Sequence, residues 1–474
     1  MKTSQVEKNI CSVLILSIFT LPAEQLGAQV PTSLPSPQHV ERMRAISSVD
    51  VVIERLNQKI TLESNGETKI QSTVAYRAQS EKGRVAIGIR EIPFNAAAGT
   101  IKVISAATIN GETRTPVLPK NILVKSFSDS AVGLENIKKV IVPFNNVLAN
   151  SIVEIQYEQS VKPNIPGIAE LSLHFDPATP ILNFEATASS SGGFNTSAIG
   201  FAKSPNSPLS LQNVFNLQRT GPPVPFTMLA KSAAPIFTAF ELQGKALLEP
   251  GDIPVIYFSN AKTWSAIATK LAEKYDAISN SQLPIEFQKI RDVATNEKSD
   301  RLKLDRIHFE LSKLISYSGN WTTLESAYFP KGHGTVASER KGDCKDFATS
   351  IVAIAKSIGF EANVALVHSA DPTDRTLRDQ LPNLFIPTSD YFNHAIAKVK
   401  AKDGRIYWID GTRATPSSEV PWPEIIDSPA LVIAKDTAGI EKVQAGSAPD
   451  NNHFKIQNTL QVNGSAFPTW TGKL

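Results

Sequence analysis

Near residue 262 the periodicity of this chain changes, and that change limits what it can fold into. Between about 46 and 260 the apolar residues fall in short runs rich in Val, Ile, Thr and Tyr. These are SSVDVVIERLNQKITLES, KIQSTVAYRA, TIKVISAATINGETRTPV, KKVIVPFNNV and SIVEIQYEQSV. NGE and Asn- or Pro-containing breaks separate them, and no internal repeat is present. Short β-branched runs divided by turn residues predict a β-sandwich or barrel. SSSGGFNTS (189–197) and SPNSPLS (204–210) are expected to be loops. From 262 onward the spacing is helical. KTWSAIATKLAEKYDAI puts Trp264, Ile267, Leu271, Tyr275 and Ile278 on one face. NEKSDRLKLDRIHFELSKLISY does the same with Leu304, Ile307, Leu311, Leu314 and Ile315, with Asn296 as N-cap. A third helix belongs to KGDCKDFATSIVAIAKSIGF (341–360). After it come a strand-like ANVALV, a long polar loop (369–391) and two strands, FNHAIAKVK and RIYWID. The expected architecture is multidomain: an all-β sandwich-like part, then an α+β part with helices first and a small antiparallel sheet after them.

The first residues suggest processing. Lys2 and Lys8 precede the apolar stretch ICSVLILSIFTL (10–21), and LGA precedes Gln29. This is the pattern of an export signal cleaved after Ala28, with an uncleaved anchor as the rival. The run is short for a membrane span, which needs about 20 apolar residues. The expected divisions are a signal peptide (1–28), a Pro/Ser-rich linker (29–45), the β-rich domain (46–260), the α+β core (261–430) and a C-terminal β segment (431–474). That last segment either pairs back onto the β-rich part or begins a further domain. The net charge of +3 and the lack of a Lys/Arg block give no case for a nucleic-acid partner. After cleavage no stable membrane span is expected, the location is periplasmic or extracellular, and the oligomeric state stays open.

Cleavage also changes the cysteine count. The chain has Cys11 and Cys344, so the mature protein would keep only Cys344. A lone cysteine in an oxidising compartment is reactive, an intermolecular partner, or a small buried filler. The local sequence favours reactivity. Asp343 is a good N-cap, Asp346 three residues on makes a variant capping box, and Cys344 takes the first helical position. There a thiolate is favoured, and the cysteine N–H is open to an oxyanion. Phe347, Ala348, Ile351, Val352 and Ala355 share its face, so the sulfur should aim inward. Gly342 allows a tight approach into the helix. Many helices begin this way and bury a cysteine, so a base and a group to orient that base are needed.

Seven histidines are candidates. His39 lies near the linker, and His174 and His453 lie outside the α+β core. His308 sits beside an apolar helical stripe and is expected to pack. His333 is expected in a loop, and His368 ends a strand without an evident acid. His394 opens HAIAKVKAKDGRIYWID, a β-hairpin turning near Asp403–Gly404. With a two-residue loop, Asp410 would pair with Ala397, on the face opposite His394. With a three-residue loop, Lys402-Asp403-Gly404, Asp410 would pair with Ile396 and share a face with His394, about 7–8 Å away diagonally. The sequence accommodates both loops.

A cysteine opening a helix, then His and Asp on successive strands, resembles the transglutaminase-like superfamily. The resemblance rests on GDCKDFATSIVAIAKSIGFEANVALV, FNHAIAKV, YWIDGT and the preceding helix, over roughly 260–425. The β-rich part looks like the poorly characterised β domain that precedes such cores in exported bacterial proteins. The resemblance implies Cys344 as nucleophile, His394 as general base then acid, and Asp410 as the residue orienting His394. It implies acyl transfer from a protein or peptide amide through a thioester, with the Cys344 N–H in the oxyanion hole. Trp321 and Tyr317 are candidates for the second donor. Gly411 stands where such bacterial relatives often have Pro, which suggests a looser strand exit. There is no calcium-loop signature and no short-spaced His/Cys/Asp set, so neither metal nor cofactor is expected. The long loop is expected to flank the cleft, with Asp371, Asp374 and Arg375 on it. The competing reading is a non-catalytic exported scaffold that binds protein or glycan partners through the β-rich domain.

Overall fold

A computed structural model describes residues 49–127, 136–175, 179–199, 209–212, 226–233, 255–319, 323, 327–369, 386–416, 418, 420–435 and 439–444. The expected signal peptide and linker, His39, Trp321, Asp371, Asp374, Arg375, His453 and the segment FKIQNTLQVNGSAFPTWTGKL lie outside the described residues.

Alternation builds the first module. Its strands are β1 (Val51–Leu62), β2 (Thr68–Ala78), β3 (Ile89–Asn95), β4 (Gly99–Asn110), β5 (Thr113–Pro116), β6 (Leu123–Ser126) and β7 (Ile137–Pro143). They continue as β8 (Ile152–Val161), β9 (Glu170–His174), β10 (Ile181–Ser190), β11 (Asn195–Ile199), β12 (Leu209–Gln212), β13 (Phe226–Ala233) and β14 (Val255–Ser259). An eight-stranded sheet has the order β12-β13-β10-β1-β2-β8-β4-β5. Its pairs are antiparallel except β1 with β10. Along β2, Ile70, Val74 and Tyr76 are buried while Lys69 and Gln71 face water, the period-two pattern of a half-buried strand. The buried face shares one core with Ile92, Val140 and Val142 of the sheet β3-β7-β6 and with Leu171, Ile256 and Phe258 of the sheet β11-β14-β9. The module is therefore mostly β and sandwich-like.

Two stretches expected as loops are partly strand. Asn195–Ser197 pair with Tyr257–Ser259 of β14, and Leu209 pairs with Ala233 of β13. Their Ser- and Asn-rich composition is overridden by partners distant in the chain. A short helix, α1 (Glu81–Ile87), also interrupts the strand pattern, capped by Ser80.

The second module is α+β. Its helices are α2 (Trp264–Ser279), α3 (Ile285–Thr295), α4 (Asp300–Leu314), α5 (His333–Glu339) and α6 (Cys344–Ser357). The helix α3 was not anticipated, and Asn296 closes it rather than opening α4. The cap of α4 is Ser299, whose hydroxyl accepts from the Leu302 N–H at 3.3 Å. A two-stranded bridge joins β15 (Ser316–Tyr317) to β16 (Lys341–Gly342). The main sheet uses β17 (Glu361–Val367), β18 (His394–Lys400), β19 (Ile406–Ile409), β20 (Pro429–Val432) and β21 (Ile440–Lys442), in the order β19-β18-β17-β20-β21. Helix α6 lies at the centre. Ala348, Ile351, Ile354 and Ala355 on it are fully buried, packed with Ala395, Ala397 and Val399 of β18 and with helices α2 to α4. The far face of the sheet is closed by Trp408, Ile425, Val432 and Trp422. Among the described residues no helix is long and apolar enough to cross a membrane.

Candidate active site

Cys344 is the first residue of α6, as the capping pattern indicates. Asp343 Oδ1 accepts from the Lys345 N–H at 3.0 Å, and Asp346 Oδ2 accepts from the Asp343 N–H at 3.0 Å. Asp346 Oδ1 also takes the Lys331 N–H at 2.7 Å, tying the box to the incoming chain. Gly342 is required here, because a Cβ would stand 2.8 Å from the Asp346 Cβ. The Cys344 N–H, at the open end of the helix, has no intrahelical acceptor. Cys344 itself is buried.

The residue after it was not singled out from sequence. Lys345 is buried with its Nζ 2.7 Å from Asp343 Oδ2. Burial opposes its charge, but Asp343, and after it Cys344, raise its affinity for a proton above the ordinary lysine value. A fixed cation therefore stands beside the thiol. Tyr275, on α2, donates its hydroxyl to the Tyr328 carbonyl at 2.8 Å. Burial and then the charges of Cys344, Asp343 and Asp346 hold that phenol protonated.

The hairpin resolves the register. Ala397 faces Ile409 and Lys400 faces Ile406, so Ile396 stands opposite Asp410. The Ala401 N–H donates to the Arg405 carbonyl at 2.9 Å across a three-residue loop, with Gly404 at φ +86°. That positive φ favours glycine. Asp410 consequently lies on the His394 face, and its Oδ1 is 3.0 Å from His394 Nε2. The approach is an ion-pair contact, not an aligned hydrogen bond. Such contacts commonly tighten only when substrate is bound.

Asp410 is held from several sides. Its Oδ1 accepts from the Thr412 N–H at 3.1 Å and the Thr412 hydroxyl at 2.6 Å. Its Oδ2 accepts from Arg413 Nε at 3.2 Å. The Arg413 guanidinium reaches on to Glu424 at 3.3 Å and lies over the Trp422 ring. Burial opposes the Asp410 charge, but His394 and the Thr412 donors drive its pKa well below the ordinary carboxylate range. For His394 burial alone would push the imidazole down. Asp410 first, then Cys344, more than offset this and lift it to about 10. Cys344 is therefore an electrostatic neighbour of His394, and the three side chains named from sequence converge.

Gly411 explains how closely they do so. A Cβ there would stand 2.7 Å from Ile351 Cδ1 and 3.2 Å from Phe347 Cβ. The strand exit that sequence suggested was loose is pressed against α6, the helix that carries Cys344.

The other histidines serve different ends. His308 Nε2 donates to the Arg413 carbonyl at 2.7 Å, so this packed residue braces the turn that follows Asp410. His333 lies on α5, not in a loop; it is buried against Phe287, and desolvation lowers it to about 4. His368 Nδ1 meets the Tyr391 carbonyl at 2.9 Å, on the approach to β18. His174 is lowered to about 4 by burial on β9. Tyr317 pairs with Gly342, two residues before Cys344, with its side chain half exposed. Thr412, Arg413 and Lys345 escaped the sequence reading. Their signal was adjacency to the motif residues, as DGTR and DCK. Among the described residues no group of three or more His, Cys, Asp and Glu could hold a metal ion.

Residues 288–410 match the model of the transglutaminase-like superfamily, and residues 64–190 match a domain of unknown function, DUF3857. This is a transglutaminase-like core preceded by that β domain. A crystal structure of a candidate protease from Parabacteroides distasonis is similar, with TM-score 0.58 and 14% identity, over 84% of this chain and 72% of that one. At that identity the likeness shows the fold. A transglutaminase structure is also similar, with TM-score 0.20 and 13% identity, over 48% of this chain and 51% of that one. None of the curated proteins compared with the chain matches it. In the transglutaminase-like core the family match ends at Asp410, so Thr412, Arg413 and the Trp422 and Glu424 contacts lie beyond it.

Proposed function

We propose that this protein is an exported cysteine enzyme that breaks or transfers protein or peptide amides through a thioester on Cys344. The observation that carries this reading is the 3.0 Å approach of Asp410 to His394 beside a helix-opening cysteine. The proton of Cys344 rests on His394, and the sulfur attacks the amide carbonyl carbon. The tetrahedral oxyanion takes the Cys344 N–H, and Tyr317 is the candidate second donor. His394 then gives its proton to the departing amine or ammonia as the C–N bond breaks. Water or an amine attacks the thioester, loses a proton to His394, and releases the acyl product as the Cys344 sulfur leaves, with the proton again on His394. Asp410 fixes the imidazole orientation and favours its charged form. The lift of His394 to about 10 supports its role as the acid, since an imidazolium persists at neutral pH.

The test is labelling of the mature protein with a chloroacetamide peptide across pH, read by intact mass. The expected result is fast labelling at Cys344 that persists below pH 7 and falls in His394→Ala. Labelling only near pH 8.5, the ordinary thiol range, and unaffected by His394→Ala would refute the reading.

A further inference from the structure

The backbone that delivers His394 is held by the β-rich module. The 3-10 turn Ser389–Tyr391 ends three residues before it. Ser389 donates its N–H to Glu170 Oε1 at 2.6 Å and its hydroxyl to Glu170 Oε2. Glu170 opens β9. Two residues along the same face of that strand, the Ser172 hydroxyl donates to Asp390 Oδ2 at 2.6 Å. Tyr391 then packs edge-on against Tyr257 of β14, with ring centroids 4.5 Å apart. From the core side Trp264 packs against Phe392 at 5.9 Å, and the Asn393 N–H donates to the Val367 carbonyl at 3.2 Å. Little slack remains between the anchored turn and His394.

We propose that Glu170 is a positioning residue for His394: with Ser172 and Tyr257 it lets the β-rich module fix the turn that launches the His394 strand. The module is then a structural part of the site in the other domain. This inference rests on reading His394 as the base of the site.

The anchor has a pH dependence of its own. Glu170 and Asp390 face one turn, together with the phenols of Tyr257, Tyr328 and Tyr391. Desolvation raises both carboxyls, and the Asp390 charge raises Glu170 further. Raised acids favour the folded contact when protonated, so the hold weakens as pH rises.

The test follows the His394 ring by NMR in the full chain labelled with 15N-histidine, the resonance assigned with His394→Gln. Glu170 ionises below the His394 range, so the anchor is read in its permanently neutral form: the His394 midpoint in Glu170→Gln should lie about one unit or more above that in Glu170→Ala, a tenfold difference in proton affinity. Glu170→Gln keeps an acceptor for the Ser389 N–H at every pH, whereas the wild type should titrate near the alanine variant. Ser389→Ala reads the same contact from the other side, and its midpoint should also lie below that of Glu170→Gln if Glu170→Ala does not fold. A role in stability alone would lower the unfolding temperature and leave the His394 midpoint unchanged; that result overturns the proposal, as does a glutamine variant no better than alanine. The readout needs no turnover. A chain without acyl-transfer chemistry would fail the labelling test and leave this one standing.

Discussion

Replacing Gly411 by Ala tests the claim that close approach sets the site geometry. Gly411 has no positive φ, so alanine meets no backbone strain there. What it meets is Ile351 Cδ1 at 2.7 Å and Phe347 Cβ at 3.2 Å. Carbon atoms prefer about 3.5–4.0 Å, so the first contact is short by about 1 Å. Ile351 is fully buried in the core and cannot swing into water. Either it leaves its rotamer, or the Asp410 turn backs away from α6. Overpacking of this kind costs about 1–3 kcal/mol. Ile351→Val removes the offending Cδ1 and alone costs about 0.5–1.5 kcal/mol. The double variant should therefore be more stable than the sum of the two losses predicts, by about 1 kcal/mol. Trp264, Trp408 and Trp422 lie in the second module, so fluorescence-monitored denaturation carries a signal from it. The Cys344 labelling rate should follow, falling in Gly411→Ala and recovering in part in the double variant. Additive losses within about 0.5 kcal/mol would show that the contact does not govern the exit of the strand.

Two further substitutions address the charges. Asp410→Asn removes the leading cause of the raised His394 affinity and leaves burial opposed only by Cys344, so the imidazole should titrate well below its wild-type value of about 10. The alkaline limb of the labelling profile should move down with it; a limb that stays in place would refute the electrostatic account. Arg413→Gln frees Asp410 Oδ2 and should slow peptide turnover about tenfold with little change in KM. Arg413→Lys should not rescue it, because the planar guanidinium also bridges to Glu424 and covers Trp422. A lysine variant with wild-type kcat would show that a point charge suffices.

How much of this was legible in the sequence depended on how local the cause was. The cap of α6 is written in four consecutive residues, and GDCKD revealed it because capping bonds span only one turn. The hairpin register was legible as a pair of alternatives. Lys-Asp-Gly suits both loops, and the choice appears only in the Gly404 backbone and in the Asp403 carboxylate accepting the Arg405 N–H at 2.9 Å. Helix α3 was not read from the sequence although Phe287, Ile290 and Ala294 carry its buried face at helical spacing. Lys345 and Arg413 look like solvated charges in any sequence window, yet each is a partner of a carboxylate at the site. The Glu170–Ser389 contact joins residues 219 positions apart, with no local signal at all.

The site and its anchor both weaken as pH rises but over different ranges, and this separates them experimentally. Asp410 is depressed and His394 raised, so their pairing stabilises the fold most between the ordinary Asp and His ranges; the Asp410 share is lost in acid, and the His394 share declines above 6.5 and is gone once pH has climbed through about 10. Glu170 is raised from 4.5 to about 8, so its contribution is complete below 4.5 and gone by about 8. Alkaline titration should therefore release the turn from the β-rich module before it breaks the His394–Asp410 pair. Hydrogen exchange offers the readout. Between pH 8 and about 10, amides at Ser389–Tyr391 should lose protection, normalised for intrinsic exchange, while those of β18 and α6 keep it. Simultaneous loss of both at one pH would mean that the module and the core ionise as a single unit, and that Glu170 is not a separable control on the position of His394.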